Sequence, residues 1–328
     1  VLISRLDTAG TTGGVEISSD GNTAFVTDHN AGLLIFDITN PSTPSLVGKY
    51  DTAGIASSVV LSSDGNTAYI ADGANGLAIV DITNHASTTL IGNYTTAGPA
   101  ARIRVSSDGN TAYVLDSSNG LIIVDITPPT GPTLIGSYNT PGTAIEFEIS
   151  SDGNTAYIAD FLTGLIILNI TTPASPTLIR SYTTPMFVFG VKISSDGNTA
   201  YMTDLSDGLI IVNITNPASP STIASYDTGG ARSVELSSDG NTAYVADTTG
   251  LVIVDITTPA SPTLTSRYNT ITLASDVKIS SDGNTAYVAD NSSGLVIVDI
   301  TNTDFPTLIG SYDTLDTAYG VEISDDGN

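Results

Sequence analysis

The chain has 328 residues, of which 34 are acidic and only 9 basic, for a formal net charge of −25. Such a surface repels phosphate backbones and anionic bilayers, which argues against nucleic acid and membrane surfaces as partners. A hydrophobic content of 40% supports a folded core, the absence of cysteine removes disulfides and thiol catalysis, and no run approaches the ~20 apolar residues of a membrane helix.

Along the chain a Ser-Asp-Gly-Asn or near-identical turn returns with its aspartate at Asp20, Asp64, Asp108, Asp152, Asp196, Asp239, Asp282 and Asp326, every 43 or 44 residues. A fixed period of that size marks units that cannot bury a core alone and must share one with their neighbours. Each unit holds four strand-like runs, at 14–18, 23–28, 33–39 and 46–52 in the first, designated A, B, C and D. The tetrad joins A to B as a tight turn, since Gly and Asn tolerate positive φ. A Gly-Leu step opens C. Proline-containing turns such as 216–220 separate C from D, where a residue without a donor N–H belongs.

Strand C is apolar on both faces, as in Leu121-Ile122-Ile123-Val124 and Leu209-Ile210-Ile211-Val212. A strand with no polar side belongs to a sheet covered on both faces. Four short antiparallel strands repeated at this period predict an all-β fold, a β-propeller; a β-solenoid accommodates four turn clusters per repeat poorly. The runs Gly-Leu-Val-Ile-Val-Asp-Ile at 250–256 and 294–300 resemble the LVIVD repeat of bacterial and archaeal surface proteins, a family similar to the YVTN-type surface-layer propellers. The resemblance covers essentially the whole chain. It implies a propeller at the cell surface or outside the cell and no common catalytic motif.

Eight A runs and eight D runs occur, against seven B and seven C. The expectation is a single domain over 1–328, with seven full repeats of 43–44 residues plus a half repeat, giving seven four-stranded antiparallel blades. Eight blades is the alternative. The middle residue of A, which is Glu16, Val60, Arg104, Glu148, Lys192, Glu235 and Lys278, alternates in sign from Arg104 onward and favours seven. Residues 2–8 are expected to close the ring with strands from the C-terminal end. The start at Val1 and the stop inside a repeat read as a piece of a longer protein.

The many aspartates recur in register, so their carboxylates are expected to accept backbone N–H groups of adjoining turns. A calcium role is the alternative, although the EF-hand and Gly-Gly-x-Gly-x-Asp spacings are absent. His29 and His85 fall in different loop types and are read as solvated. No nucleophile elbow or phosphate loop occurs. Sequons stand at Asn93, Asn169, Asn213 and Asn291; those at 169 and 213 replace the usual aspartate of C and are expected to face inward, leaving Asn291 as the glycan position.

The A–B and C–D turns share one end of the blades and barely vary, whereas the B–C and D–A loops at the other end differ from unit to unit. Recognition usually resides in loops free of the shared packing duty. Phe161 and Leu162, in the fourth B–C loop, are expected to meet Met186, Phe187 and Phe189 of the following D–A loop, either as a binding patch or as a plug at the channel mouth. Arg102, Arg104 and Arg232 add scarce positive charge at that end. The reading is a non-enzymatic extracellular or cell-surface module, structural or adhesive, binding a protein or glycan, or further copies of itself, through the B–C and D–A face. It requires no cofactor. The alternatives are a calcium-stabilised or carbohydrate-binding propeller, and a glycan hydrolase or lyase at the channel mouth.

Overall fold

The computed structural model describes residues 10–40, 43–184, 187–313 and 317–323. They form seven four-stranded antiparallel sheets, each with its strands in chain order. This is the seven-bladed β-propeller fold class, and one short 3₁₀ turn at His85–Ser87 is the departure from strand and loop among the described residues. Residues 2–8, expected to close the ring, lie outside them. The described part of the eighth A run, 320–323, forms no strand.

The chain divides into two compact units. The first carries blade one (β1 Thr12–Ile17, β2 Thr23–Asp28, β3 Gly32–Asp37, β4 Ser45–Tyr50) and blade two (β5 Ala56–Leu61, β6 Thr67–Asp72, β7 Leu77–Asp81, β8 Thr89–Tyr94). Blade three completes it (β9 Ala100–Val105, β10 Thr111–Asp116, β11 Gly120–Asp125, β12 Thr133–Tyr138). The second unit carries blade four (β13 Ala144–Ile149, β14 Thr155–Asp160, β15 Gly164–Asn169, β16 Thr177–Tyr182) and blade five (β17 Val188–Ile193, β18 Thr199–Asp204, β19 Gly208–Asn213, β20 Ser221–Tyr226). Blade six (β21 Ala231–Leu236, β22 Thr242–Asp247, β23 Gly250–Asp255, β24 Thr263–Asn269) and blade seven (β25 Asp276–Ile279, β26 Thr285–Ala289, β27 Leu295–Asp299, β28 Thr307–Tyr312) follow.

The third strands are buried on both faces because one side packs on the preceding sheet of the unit and the other on the next. Leu165 and Ile167 of β15 join Val188, Val191, Met202 and Ile210 of blade five in one cluster. Leu209 and Ile211 of β19 join Val234, Val245 and Val252 of blade six in another. Each fully buried Leu, Ile or Val side chain contributes about 1.5–3 kcal/mol, so these interfaces dominate the favourable energy. The fourth strands form the outer edge, and most of their residues are exposed or half-buried.

First strands of consecutive blades lie side by side, and the charge alternation read from the sequence appears there. Lys192 Nζ lies 3.5 Å from Glu148 Oε1 and 3.4 Å from Glu235 Oε2, and Lys278 Nζ lies 4.0 Å from that same Glu235 oxygen. Each of these four residues stands opposite a tyrosine of the second strand, as Lys192 does opposite Tyr201. The pairs are half-exposed and set register more than stability.

The A–B turns are held by their own side chains. In the second, Gly65 at φ +70° lets its N–H donate to the Ser62 carbonyl at 2.9 Å. The Ser62 hydroxyl donates to Asp64 Oδ1 at 2.6 Å and in turn accepts the Thr67 N–H at 2.9 Å. The same arrangement recurs at Ser106, Ser150, Ser194, Ser237 and Ser280. At the C–D turns, the carboxylates of Asp37, Asp81, Asp125 and Asp299 accept from the N–H and hydroxyl of the threonine two residues on. Asn169 and Asn213 accept the same N–H group in their blades. Asn213 is exposed, contrary to the inward orientation expected from the sequence, because capping this turn keeps the side chain at the rim.

Hydrogen bonds from the serine hydroxyl, then from the asparagine N–H, hold the A–B turn aspartates below the ordinary carboxylate pKa. The threonine hydroxyl, then its N–H, does the same for the C–D turn aspartates. A carboxyl whose pKa falls on folding adds stability above its unfolded pKa and loses it as pH drops through the folded value. The urea midpoint is therefore expected to fall on acidification from neutral pH to about pH 2–3, and less so in Ser106→Ala, which lacks one such donor. A midpoint flat over that range contradicts this role.

Candidate functional site

The second strand of each blade ends in a buried aspartate, or in blade seven is followed directly by one, Asp290. This aspartate faces the variable loops. Asp160 Oδ1 accepts the Thr163 N–H of its own B–C loop at 3.0 Å, and Oδ2 accepts the Gly142 N–H of the preceding D–A loop at 2.9 Å. Asp116 does the same with Asn119 and Gly98, at 3.0 and 2.7 Å. One carboxylate thus anchors two loops at the variable end, as expected of aspartates repeated in register. No group of three or more His, Asp or Glu side chains placed to share a metal ion occurs among the described residues.

On this anchored frame the expected aromatic cluster assembles in the second unit. Phe161 follows Asp160, and its N–H donates to the Thr143 carbonyl at 2.8 Å. Phe187 is fixed by its carbonyl, which accepts the Leu205 N–H at 3.0 Å. Their rings stack with centroids 4.4 Å apart and 4° between planes. Phe189 meets Phe161 edge-on, with centroids 5.3 Å apart and an 80° angle.

Arg232 completes the group: its guanidinium carbon lies 4.7 Å from the Phe189 ring centroid. The register between β17 and β18 shifts between Val188 and Gly190, and that between β21 and β22 between Ala231 and Ser233. Phe189 and Arg232 are therefore the extra residues of two equivalent β-bulges, and a bulge re-aims its side chain. That is what brings them together, and the alternation of polar and apolar residues carries no trace of it. The Arg232 Nε is buried without a hydrogen-bond partner, so the ring face supplies the compensation.

Leu162 sits beside Phe161 in the same loop and is 64% exposed. Met186 lies outside the described residues. Arg102 and Arg104 belong to β9 in the first unit, Arg102 donating to the Ala101 carbonyl at 3.1 Å and Arg104 pairing across the strands with Tyr113. Ile271, in the D–A loop before β25, was not singled out from the sequence and is 86% exposed, more than any member of the cluster. His29 lies in a B–C loop, whereas His85 lies in a C–D connection with its ring edge-on to Phe25 at 5.6 Å. Asn291 holds a left-handed φ of 38° and bridges to Ala318.

The cluster offers ring faces, an aliphatic side chain and one cation. These groups hold apolar and anionic surface; none is a nucleophile or a proton-transfer pair. A double-mutant cycle on Phe161→Ala and Phe187→Ala, read by urea unfolding, is expected to give a coupling of about 0.5–1.5 kcal/mol. Additive single effects would show that the stacked pair carries no energy of its own.

No curated protein sequence matches the chain. Among solved structures, Sqt1 of Saccharomyces cerevisiae is similar with a TM-score of 0.77 at 10% identity, over 95% of this chain and 89% of that one. The periplasmic gluconolactonase PpgL of Pseudomonas aeruginosa gives 0.69 at 16% identity, over 88% and 94% of the two chains. Hydrazine synthase of Kuenenia stuttgartiensis gives 0.65 at 17%, over 94% and 98%. Likeness at these identities shows the propeller fold and nothing finer. The LVIVD repeat model matches seven times, at residues 9–52, 53–96, 97–140, 146–184, 190–228, 229–270 and 273–314. These matches take in most of the sequence, and the chain belongs to the LVIVD repeat family.

Proposed function

We propose that this chain is a non-catalytic interaction module of the cell surface or extracellular space, which binds a protein partner through its B–C and D–A loops. The observation that carries this reading is the half-exposed group of Phe161, Phe187 and Phe189 under Arg232, with Leu162 beside it. Aromatic and arginine side chains grouped on a rigid frame are the usual anchors of protein interfaces. The complementary surface is an apolar side chain flanked by a carboxylate. The net charge of −25 supports a location where divalent or sodium ions screen it. The likeness to a gluconolactonase is one of fold, and the groups at this site supply no chemistry for opening a lactone.

A second reading rests on the same rings. Exposed aromatic faces also stack on sugar rings, so a surface glycan is the rival ligand.

The test is binding of the labelled chain to intact cells of its source and to a glycan array, for wild type and Phe187→Asp. The circular dichroism spectrum and melting temperature serve as the fold control. Loss of cell binding by about tenfold or more with the fold intact is expected for an interface anchor. Protease treatment of the cells should abolish the signal if the partner is a protein, whereas array binding that resists it would transfer the site to glycan. Unchanged binding by Phe187→Asp removes this surface from consideration.

A further inference from the structure

Blades two and six differ at one repeated position in a way that exposes a site. In every blade the third strand places a residue directly across from one on the fourth. The pairs are Leu34 with Lys49, Ile122 with Ser137, Ile166 with Ser181, Ile210 with Ser225, Val252 with Arg267 and Val296 with Ser311. In blade two the pair is Ala78 with Asn93. Six branched side chains are thus replaced there by a methyl group, and partners directly opposite share a face of the sheet.

The space left is a cavity of ≈ 210 Å³ between blades one and two, within the first unit. Its rim is exposed, at Asn93, Leu90 and Thr95. Its lining also includes buried Asp72, buried Thr52 and Tyr50. Asp72 is 2% exposed; its Oδ2 accepts from the Gly54 N–H and from Asn75 Nδ2, each at 3.1 Å. Its Oδ1 is buried with no hydrogen-bond partner, and so is the Thr52 hydroxyl. Burial first, then the charges of Asp72 and Asp51, raise the pKa of the Tyr50 phenol, which places it in the negative field of this cavity.

Blade one also leaves an oxygen of its equivalent carboxylate, Asp28 Oδ2, without a hydrogen-bond partner, whereas blades six and seven satisfy theirs from within. In blade seven the Thr270 hydroxyl, at the position of Thr52, donates to Asp290 Oδ1 at 2.6 Å. In blade six the Arg267 guanidinium does so: Nη1 lies 3.0 Å from Asp247 Oδ2 and donates to the Thr228 carbonyl at 2.9 Å. Arg267 stands where blade two has Asn93, Asp247 where it has Asp72, and Thr228 where it has Thr52. The chain itself therefore shows which chemical group this niche accepts when the fourth strand provides one.

We infer that the cavity between blades one and two binds a guanidinium group supplied from outside, with Asp72 Oδ1 accepting from it as Asp247 does from Arg267. Branching at position 78 would fill the space, and an arginine at position 93 would occupy it from within. The volume lies below the about 300–1,000 Å³ of a drug-sized pocket and suits a single head group. That group is either a free small guanidinium compound or an arginine side chain of a polypeptide. A planar cation with fixed N–H donors is the best partner for a buried carboxylate.

The experiment is a ¹H–¹⁵N correlation titration of the full chain with methylguanidinium chloride. Urea serves as the neutral, similarly shaped control, sodium chloride matches the ionic strength, and N-acetylarginine amide forms a second arm. Saturable shifts of the Gly54, Asn75 and Asn93 amides are expected with methylguanidinium and not with urea. Asp72→Asn should weaken binding about tenfold or more, the usual loss when a charged acceptor is removed. Asn93→Arg, a change at an exposed position, should fold, melt at higher temperature and no longer bind. Tighter binding of N-acetylarginine amide identifies a peptide arginine as the ligand; binding of methylguanidinium alone identifies the free cation. No saturable response, a response that urea matches, or full binding in Asn93→Arg overturns the assignment.

Discussion

The third strands depend on being covered from both sides, and nearly everything else follows from that. A Leu-Ile-Ile-Val run has no face it can show to water, so a sheet containing it needs a sheet before it and a sheet after it. Consecutive blades meet this need by offering side chains from alternate positions of the third strand to opposite neighbours. Repetition at 43 or 44 residues delivers the next sheet in the right register each time. The fourth strands, left at the outer edge, are free to vary, and their variation creates the difference between Arg267 in blade six and Asn93 in blade two.

The buried aspartate at the end of each second strand converts this packing into a surface. Burying a carboxylate is costly unless donors surround it. Backbone N–H groups of the adjoining B–C and D–A loops serve as donors, for example at Asp116 and Asp160. The loops can therefore differ in sequence while their ends stay fixed. Phe161 begins immediately after such an anchor. Blade six makes a different use of it, with a guanidinium on the carboxylate, and blade two leaves an oxygen without a partner.

Much of this was legible in the residues. The period, the four runs per unit and the doubly apolar third strand were enough for the fold, since each reflects local chemistry that survives repetition. The sign alternation at Glu148, Lys192, Glu235 and Lys278 was readable because neighbouring first strands present the same register position to one another. Proximity of Phe161 to Phe187 and Phe189 followed from antiparallel order alone. What was hidden depends on backbone irregularity and on volume. The bulges that bring Arg232 over Phe189 add one residue without altering composition. Asn213 caps a turn and faces outward, because a side chain that serves the rim cannot also serve the core. The cavity beside Asp72 had its signal in Ala78, the one small residue in a column of branched ones, but a column is visible only once strand pairing is known.

Native-state hydrogen exchange followed residue by residue tests the central claim most directly, because it ranks strands by how they are covered. The account predicts the slowest exchange along third strands, at residues such as Ile167, Ile211 and Ile253, and faster exchange along the fourth strands of the same sheets. Third-strand amides that exchange as fast as those of the fourth would mean that neighbouring sheets do not cover both faces, and would contradict the account.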